Sequence, residues 1–156
     1  MIEIERKFLV LSDDFKQQSN RSRQIVQGYL NSNPKRSVRI RIQDNLAFLT
    51  VKGIGNESGM SRFEWEKPIS VVDATHLLAL CEEGVIEKIR YEIPLDGHVF
   101  EVDEFSGDND GLIIAEIELK SEDEMFQKPD WLGKEVTNDR RYYNSELSIN
   151  PFKTWK

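Results

Sequence analysis

The sequence predicts a mainly β, α+β fold of about eight antiparallel strands with a few covering helices. Three observations carry this expectation. Apolar and polar residues alternate with period two along most of the chain, tight-turn residues separate the alternating runs, and one segment shows a clear helical stripe.

The first strand is expected over Ile2 to Val10. A polar stretch from Ser12 to Arg23 follows, with room for a short helix. Strands are then expected over Ile25 to Asn31, Arg36 to Gln43 and Leu46 to Gly53, the last two joined by Asp44-Asn45, a pair suited to a hairpin turn. A Gly-containing loop, Gly53 to Gly59, leads into a strand from Met60 to Ile69. Ser70 then caps a helix whose apolar positions are Val72, Leu77, Leu78 and Cys81, with Gly84 as its stop. Val85 to Leu95 and His98 to Phe105 flank Asp96-Gly97, the strongest hairpin signal in the chain, and Leu112 to Leu119 supplies a last long strand. The tail, with Pro129 to Gly133 and Asp139 to Tyr143, reads as helical and aromatic, suited to covering an open end or an outer face of the sheet.

With 156 residues, the chain is expected to form a single domain over 1–156 with its own core. Its longest apolar runs are far too short to cross a bilayer, and its start alternates charges where a signal peptide needs an apolar stretch, so a cytoplasmic protein without membrane contact is expected. One cysteine, Cys81, excludes an intrachain disulfide and a thiolate zinc cluster, so any metal is expected to be held by oxygen. A net charge of -7 argues against nucleic acid as a partner. Cys81 reads as a small core residue, and His76 and His98 are too far apart in sequence and too isolated to define a zinc site. Asp108 to Gly111 lacks the closing Glu of a calcium loop and reads as a turn.

The local sorting of charge says more than the total. Residues two apart on a strand share a face. Glu3, Glu5 and Lys7 therefore point one way, as do Arg39 with Arg41, Thr50 with Lys52, Arg62 with Glu64 and Glu66, Lys88 with Arg90, Glu101 with Asp103, and Glu116 with Glu118. For any single pair, a solvated strand face is the ordinary explanation. The set as a whole is less easily explained that way, because several faces carry one sign and would repel without a neutralising neighbour or ligand.

The other reading is a closed, eight-stranded antiparallel β-barrel with its charges turned into a tunnel and its apolar faces covered from outside. Lys7, Arg39, Arg41, Lys52, Lys88 and Arg90 would then form a cage suited to phosphate oxygens. Carboxylates in the same lumen would repel phosphate unless Glu3, Glu5, Glu116 and Glu118 held a hard divalent cation, Mg²⁺ or Mn²⁺.

The run Glu3-Ile4-Glu5-Arg6-Lys7 resembles the Glu-x-Glu-x-Lys signature of the CYTH superfamily, the triphosphate tunnel metalloenzymes. Val38-Arg39-Ile40-Arg41, Leu49-Thr50-Val51-Lys52, Lys88-Ile89-Arg90-Tyr91, Glu101-Val102-Asp103 and Ala115-Glu116-Ile117-Glu118 follow in an order similar to the family's, so the resemblance spans nearly the whole chain. It implies a tunnel that binds a linear triphosphate. Glu3, Glu5 and Glu118 would ligate metal, with Glu116 and Asp103 doing so directly or through water, while the six cations grip phosphate. Glu64 would orient a second metal or the attacking water, and Tyr29 and Lys88 would help activate that water.

The expected activity is metal-dependent hydrolysis of a small triphosphate, inorganic triphosphate first. Adenylate cyclase of the class IV type and thiamine triphosphatase are the alternatives within the family, and a noncatalytic polyphosphate sensor is the alternative outside enzymology. A homodimer is an open expectation, because few helices are available to cover the barrel's apolar outer faces.

Overall fold

The protein is described by a computed structural model over residues 1–155, and Lys156 lies outside the described residues. Twelve regular elements organise the chain: β1 (Ile2–Val10), α1 (Phe15–Gln18), β2 (Arg21–Asn31), β3 (Arg36–Gln43), β4 (Leu46–Gly53), β5 (Ser61–Ile69), α2 (Val71–Leu78), β6 (Ile86–Leu95), β7 (His98–Phe105), β8 (Ile113–Glu118), β9 (Leu132–Glu135) and α3 (Asn144–Leu147). Strand order runs β5-β4-β3-β2-β6-β7-β8-β1, and β1 returns to β5, so eight strands close into an antiparallel barrel.

The hairpin turns fall where they were expected. Asp44 and Asp96 both have positive φ, 52° and 50°, as the tight turns after β3 and β6 require. Ser70 caps α2, its hydroxyl accepting from the Asp73 N–H at 3.0 Å.

Two expectations are corrected. The second strand starts at Arg21 instead of Ile25, because Arg21 to Gln24 pair with Glu92 to Ile89 on β6. The tail is mostly irregular: its longest helix is α3, and Leu132–Glu135 forms a ninth strand. The reason lies in β1. One edge of β1 runs along β8, whereas the other is divided, pairing with β5 from Ile2 to Ile4 and with β9 at Phe8 and Val10. Once β5 diverges, the freed edge of β1 takes up tail residues, a pairing that local sequence does not encode.

The apolar core lies outside the barrel. Ala74, Leu77, Leu78 and Cys81 cover Ile40, Ala47 and Leu49, and Gly28 permits this close approach, since a Cβ there would sit 3.0 Å from the Cys81 side chain. On the other flank Trp131 and Phe15, both fully buried, pack with Phe8, Phe100, Val102, Ala115 and Ile117. A third cluster, Leu147 with Ile86, Phe105, Leu112 and Ile114, joins the tail to one end of the barrel. Each such buried side chain stabilises by about 1.5–3 kcal/mol, and this outer shell offsets the cost of dehydrating charge within. Among the described residues no helix is long and apolar enough to cross a membrane.

Candidate active site

Period-two alternation and closure together point one face of each strand inward, charged on all but β2. They line a cavity of about 260 Å³ that contains Glu3, Glu5 and Lys7 from β1, Arg39 and Arg41 from β3, and Thr50 and Lys52 from β4. Glu64 from β5, Lys88 and Arg90 from β6, and Glu116 and Glu118 from β8 complete the predicted set, with Tyr29 from β2 between them. Register explains the meeting: Glu5 lies opposite Glu118, Lys7 opposite Glu116, Lys52 opposite Glu64 and Tyr29 opposite Arg39.

Asp103 is the exception. Its side chain is 2% exposed, and Arg90 grips both of its oxygens at 2.8 and 2.9 Å while Lys88 Nζ approaches to 2.8 Å. Its acceptor sites are thus taken by cations of the protein itself. Asp103 holds two cage residues in place; the cavity is lined without it.

The remaining pairs knit the two signs together. Lys7 Nζ lies 3.2 Å from Glu116, and Lys52 Nζ bridges Glu3 at 2.9 Å and Glu64 at 3.4 Å. Arg39 and Arg41 converge on Glu66 at 3.6 and 3.7 Å. These contacts leave the cage short of acceptors: the buried Nε atoms of Arg39 and Arg41 have no hydrogen-bond partner. An anion placed between them would supply what is missing.

The carboxylates show the opposite shortage. Burial, then the charges of Glu116 and Glu3, push Glu5 up to about 8. Burial and a hydrogen bond with Glu3 push Glu64 up to about 7. Burial would raise Glu3 as well, but Lys52, the bond with Glu64 and Arg62 outweigh it and hold Glu3 at about 2. Burial likewise opposes ionisation of Glu116, yet Lys7, Arg90 and Lys88 hold it well below the usual carboxylate range. Glu5 with Glu116, and Glu64 with Glu3, are thus acid pairs in which a shared proton relieves repulsion. A divalent cation could take the place of those protons. The donor set is all oxygen, as hard ions require, so the residues fit such a cation, although among the described residues no three acidic, His or Cys side chains already surround one point.

On the cationic side, burial lowers Lys88 to about 8 against the pull of Asp103, and burial with the nearby Arg39 and Arg90 lowers Arg41 to about 10. Both are cations held at a cost that a neighbouring anion would relieve.

Sequence reasoning missed several lining residues. Arg62 and Glu66 were seen to share a face with Glu64 but were given no role, and both reach the cavity. Tyr143, Asn144 and Ser145 enter from the tail. The Tyr143 ring lies 5.4 Å from Lys7 Nζ and 6.0 Å from the Arg62 guanidinium. The tail's aromatic content hinted at a cover, but no periodicity aims Asn144 into a barrel. Beside the tunnel, in the gap where β5 leaves β1, a second cavity of about 270 Å³ shares Glu5, Lys7, Arg62 and Tyr143 with the first and adds Pro34, Ile54 and Met60.

The residues set aside earlier stay outside the tunnel. Cys81 is a half-buried packing residue, and His98 bonds Glu124 at 2.6 Å on the outer surface.

An antiparallel barrel closed around paired cations and carboxylates defines a class of charged tunnel protein. The chain belongs to the CYTH domain family, which it matches over residues 1–150. It is 48% identical over 155 residues to an inorganic triphosphatase of Acetivibrio thermocellus, covering 99% of this chain and 97% of that one. An inorganic triphosphatase of Nitrosomonas europaea is 39% identical over 155 residues, covering 96% of this chain and 99% of the relative. Among solved structures, the crystal structure of an inorganic triphosphatase superposes with a TM-score of 0.67 at 37% identity, covering 94% of this chain and 97% of that one.

Proposed function

We propose that this protein hydrolyses a linear triphosphate, inorganic triphosphate first, to pyrophosphate and orthophosphate. The observation that carries the reading is the lumen itself: seven cations, two with unpartnered guanidinium N–H groups, facing buried carboxylates. Two relatives and a solved structure described as inorganic triphosphatases support the choice of substrate.

Glu3, Glu5, Glu116 and Glu118 are the residues that would hold Mg²⁺ or Mn²⁺, with Glu64 oriented toward the same wall. The bound cation supplies charge neutralisation and polarisation of the phosphoryl oxygens. Lys7, Arg39, Arg41, Lys52, Lys88 and Arg90 bind and orient the phosphates and receive the charge that spreads over their oxygens as water attacks in line. Asp103 serves by fixing Arg90 and Lys88, a role in place of metal ligation that its contacts support. Tyr29, nine-tenths or more buried on the cavity wall, would help steer the attacking water.

The side cavity favours a second class of substrate. Pro34, Ile54 and Met60 offer an apolar surface beside Lys7, so organic triphosphates are expected to be accepted with their organic group in that gap.

The test is to incubate the protein with inorganic triphosphate, ATP or thiamine triphosphate, with Mg²⁺, Mn²⁺ or chelator, and to measure phosphate and cyclic AMP. Cation-dependent phosphate release, greatest from inorganic triphosphate, is expected. Cyclic AMP from ATP would replace the hydrolase reading with a cyclase. Substrate-induced stabilisation without turnover would leave a sensor.

A further inference from the structure

Lys88 is tied to a part of the chain that does not belong to the barrel. Its ammonium is 2.8 Å from Asp103 Oδ2 and 2.9 Å from Asn144 Oδ1, with the Phe105 ring 5.3 Å away. An ammonium carries three N–H donors, so these two acceptors leave one for the cavity that Lys88 lines.

The Asn144 oxygen is itself clamped. It also accepts from Gln27 Nε2 at 3.1 Å, and Gln27 is fully buried on β2. The helix that carries Asn144 is anchored three residues later by Leu147, fully buried against Ile86, Phe105, Leu112 and Ile114. The position of this acceptor is therefore set by packing, independently of whether substrate is present.

We propose that Asn144 is a positioning residue for Lys88, a role that rests on the triphosphatase reading above. Asp103 alone leaves the ammonium free to pivot, because Arg90 already holds both of its oxygens and a lysine stem has considerable rotamer freedom. The second acceptor removes that freedom and presents the remaining N–H to a phosphoryl oxygen. The chemistry also explains an amide here: a carboxylate would bind the ammonium equally well but would add a negative charge beside an anionic substrate.

A double-mutant cycle with Lys88→Ala tests the assignment. Asn144→Ala should lower kcat by about tenfold to a hundredfold, the loss of a hydrogen bond to a charged group, while KM changes little. In a Lys88→Ala background the same change should have almost no further effect. Asn144→Asp keeps the acceptor and the size, so kcat should stay close to that of the unaltered protein while KM rises. Additive losses in the double variant, or equal kcat losses in Asn144→Ala and Asn144→Asp, would overturn the proposal and leave the tail helix a structural plug. An unaltered protein inert toward every triphosphate would sink the hydrolase reading. The Lys88 ammonium signal in ¹H–¹⁵N spectra then still decides: it should be sharp in the unaltered protein and broadened in Asn144→Ala, and an unchanged signal would overturn the positioning role.

Discussion

The acidic and cationic walls of the tunnel solve the same problem in different ways. Both bury like charges beside one another. The acidic wall relieves repulsion by keeping protons, with Glu5 raised to about 8 and Glu64 to about 7. The cationic wall has no such recourse at its arginines, because a guanidinium stays protonated, so Arg39 and Arg41 remain charged with buried N–H groups unpaired. A wall that holds protons would have to release them to any cation it took up. A wall that cannot adapt is already arranged for an anion. Preorganisation is thus expected to be greater for the phosphates than for the cation.

The sharpest way to break this contrast is Glu5→Gln. It should lower the rate of cation-dependent phosphate release on the order of 10²–10³-fold, comparable to removing one preorganised charge-stabilising group. The metal-free variant should melt no lower than the metal-free parent, because burial and the neighbouring carboxylates already favour an uncharged side chain there. A clear drop in metal-free Tm would contradict the shared-proton description.

Arg41→Ala should cost about 10–100-fold in kcat/KM, the value of one or two charge-assisted contacts, and should weaken triphosphate binding measured without metal. If instead it altered only metal affinity, the division of labour between the walls would be wrong.

Next comes the pH dependence of cation binding. Metal affinity, read by calorimetry, should rise up to about tenfold per pH unit for each proton displaced, levelling off once Glu5 at about 8 has ionised. Proton release on binding is the companion measurement, and its absence would remove the acid pairs from the description.

The smallest effect is on metal-free stability. Glu5 and Glu64 bind protons more tightly when folded than their ordinary value of 4.5, so their contribution is complete below about 4.5 and is lost as pH rises through about 7 to 8. Glu3, held at about 2, acts oppositely and gives up its contribution only as pH falls through that value. Metal-free Tm should therefore decline by a few degrees between about pH 5 and pH 8, and bound cation should reverse the slope. A flat metal-free profile would show the acidic wall to be better solvated than its burial implies.

Most of the barrel was legible from local pattern. Alternation sorted the strands into faces, and Asp44-Asn45 and Asp96-Gly97 marked two of the hairpins. Every predicted phosphate-gripping cation reached the cavity, because two-residue periodicity leaves a side chain only two faces to choose from. Asp103 shows what periodicity leaves open. It shares its face with Glu101, yet Arg90 opposite it claims both oxygens and turns it into a support. Periodicity assigns a face; whether the group on that face meets a ligand or a neighbour depends on the adjacent strand.

What the sequence determined by itself was the set of strands, the sign of charge on each face and the family resemblance, since all three are written in residues at most a few positions apart. The tertiary structure alone decided that β1 divides one edge between β5 and β9 and that Asn144 reaches Lys88 across 56 residues of chain. Those outcomes follow from barrel closure and from tail packing against a freed strand edge, and such long-range contacts leave no periodic trace in the chain.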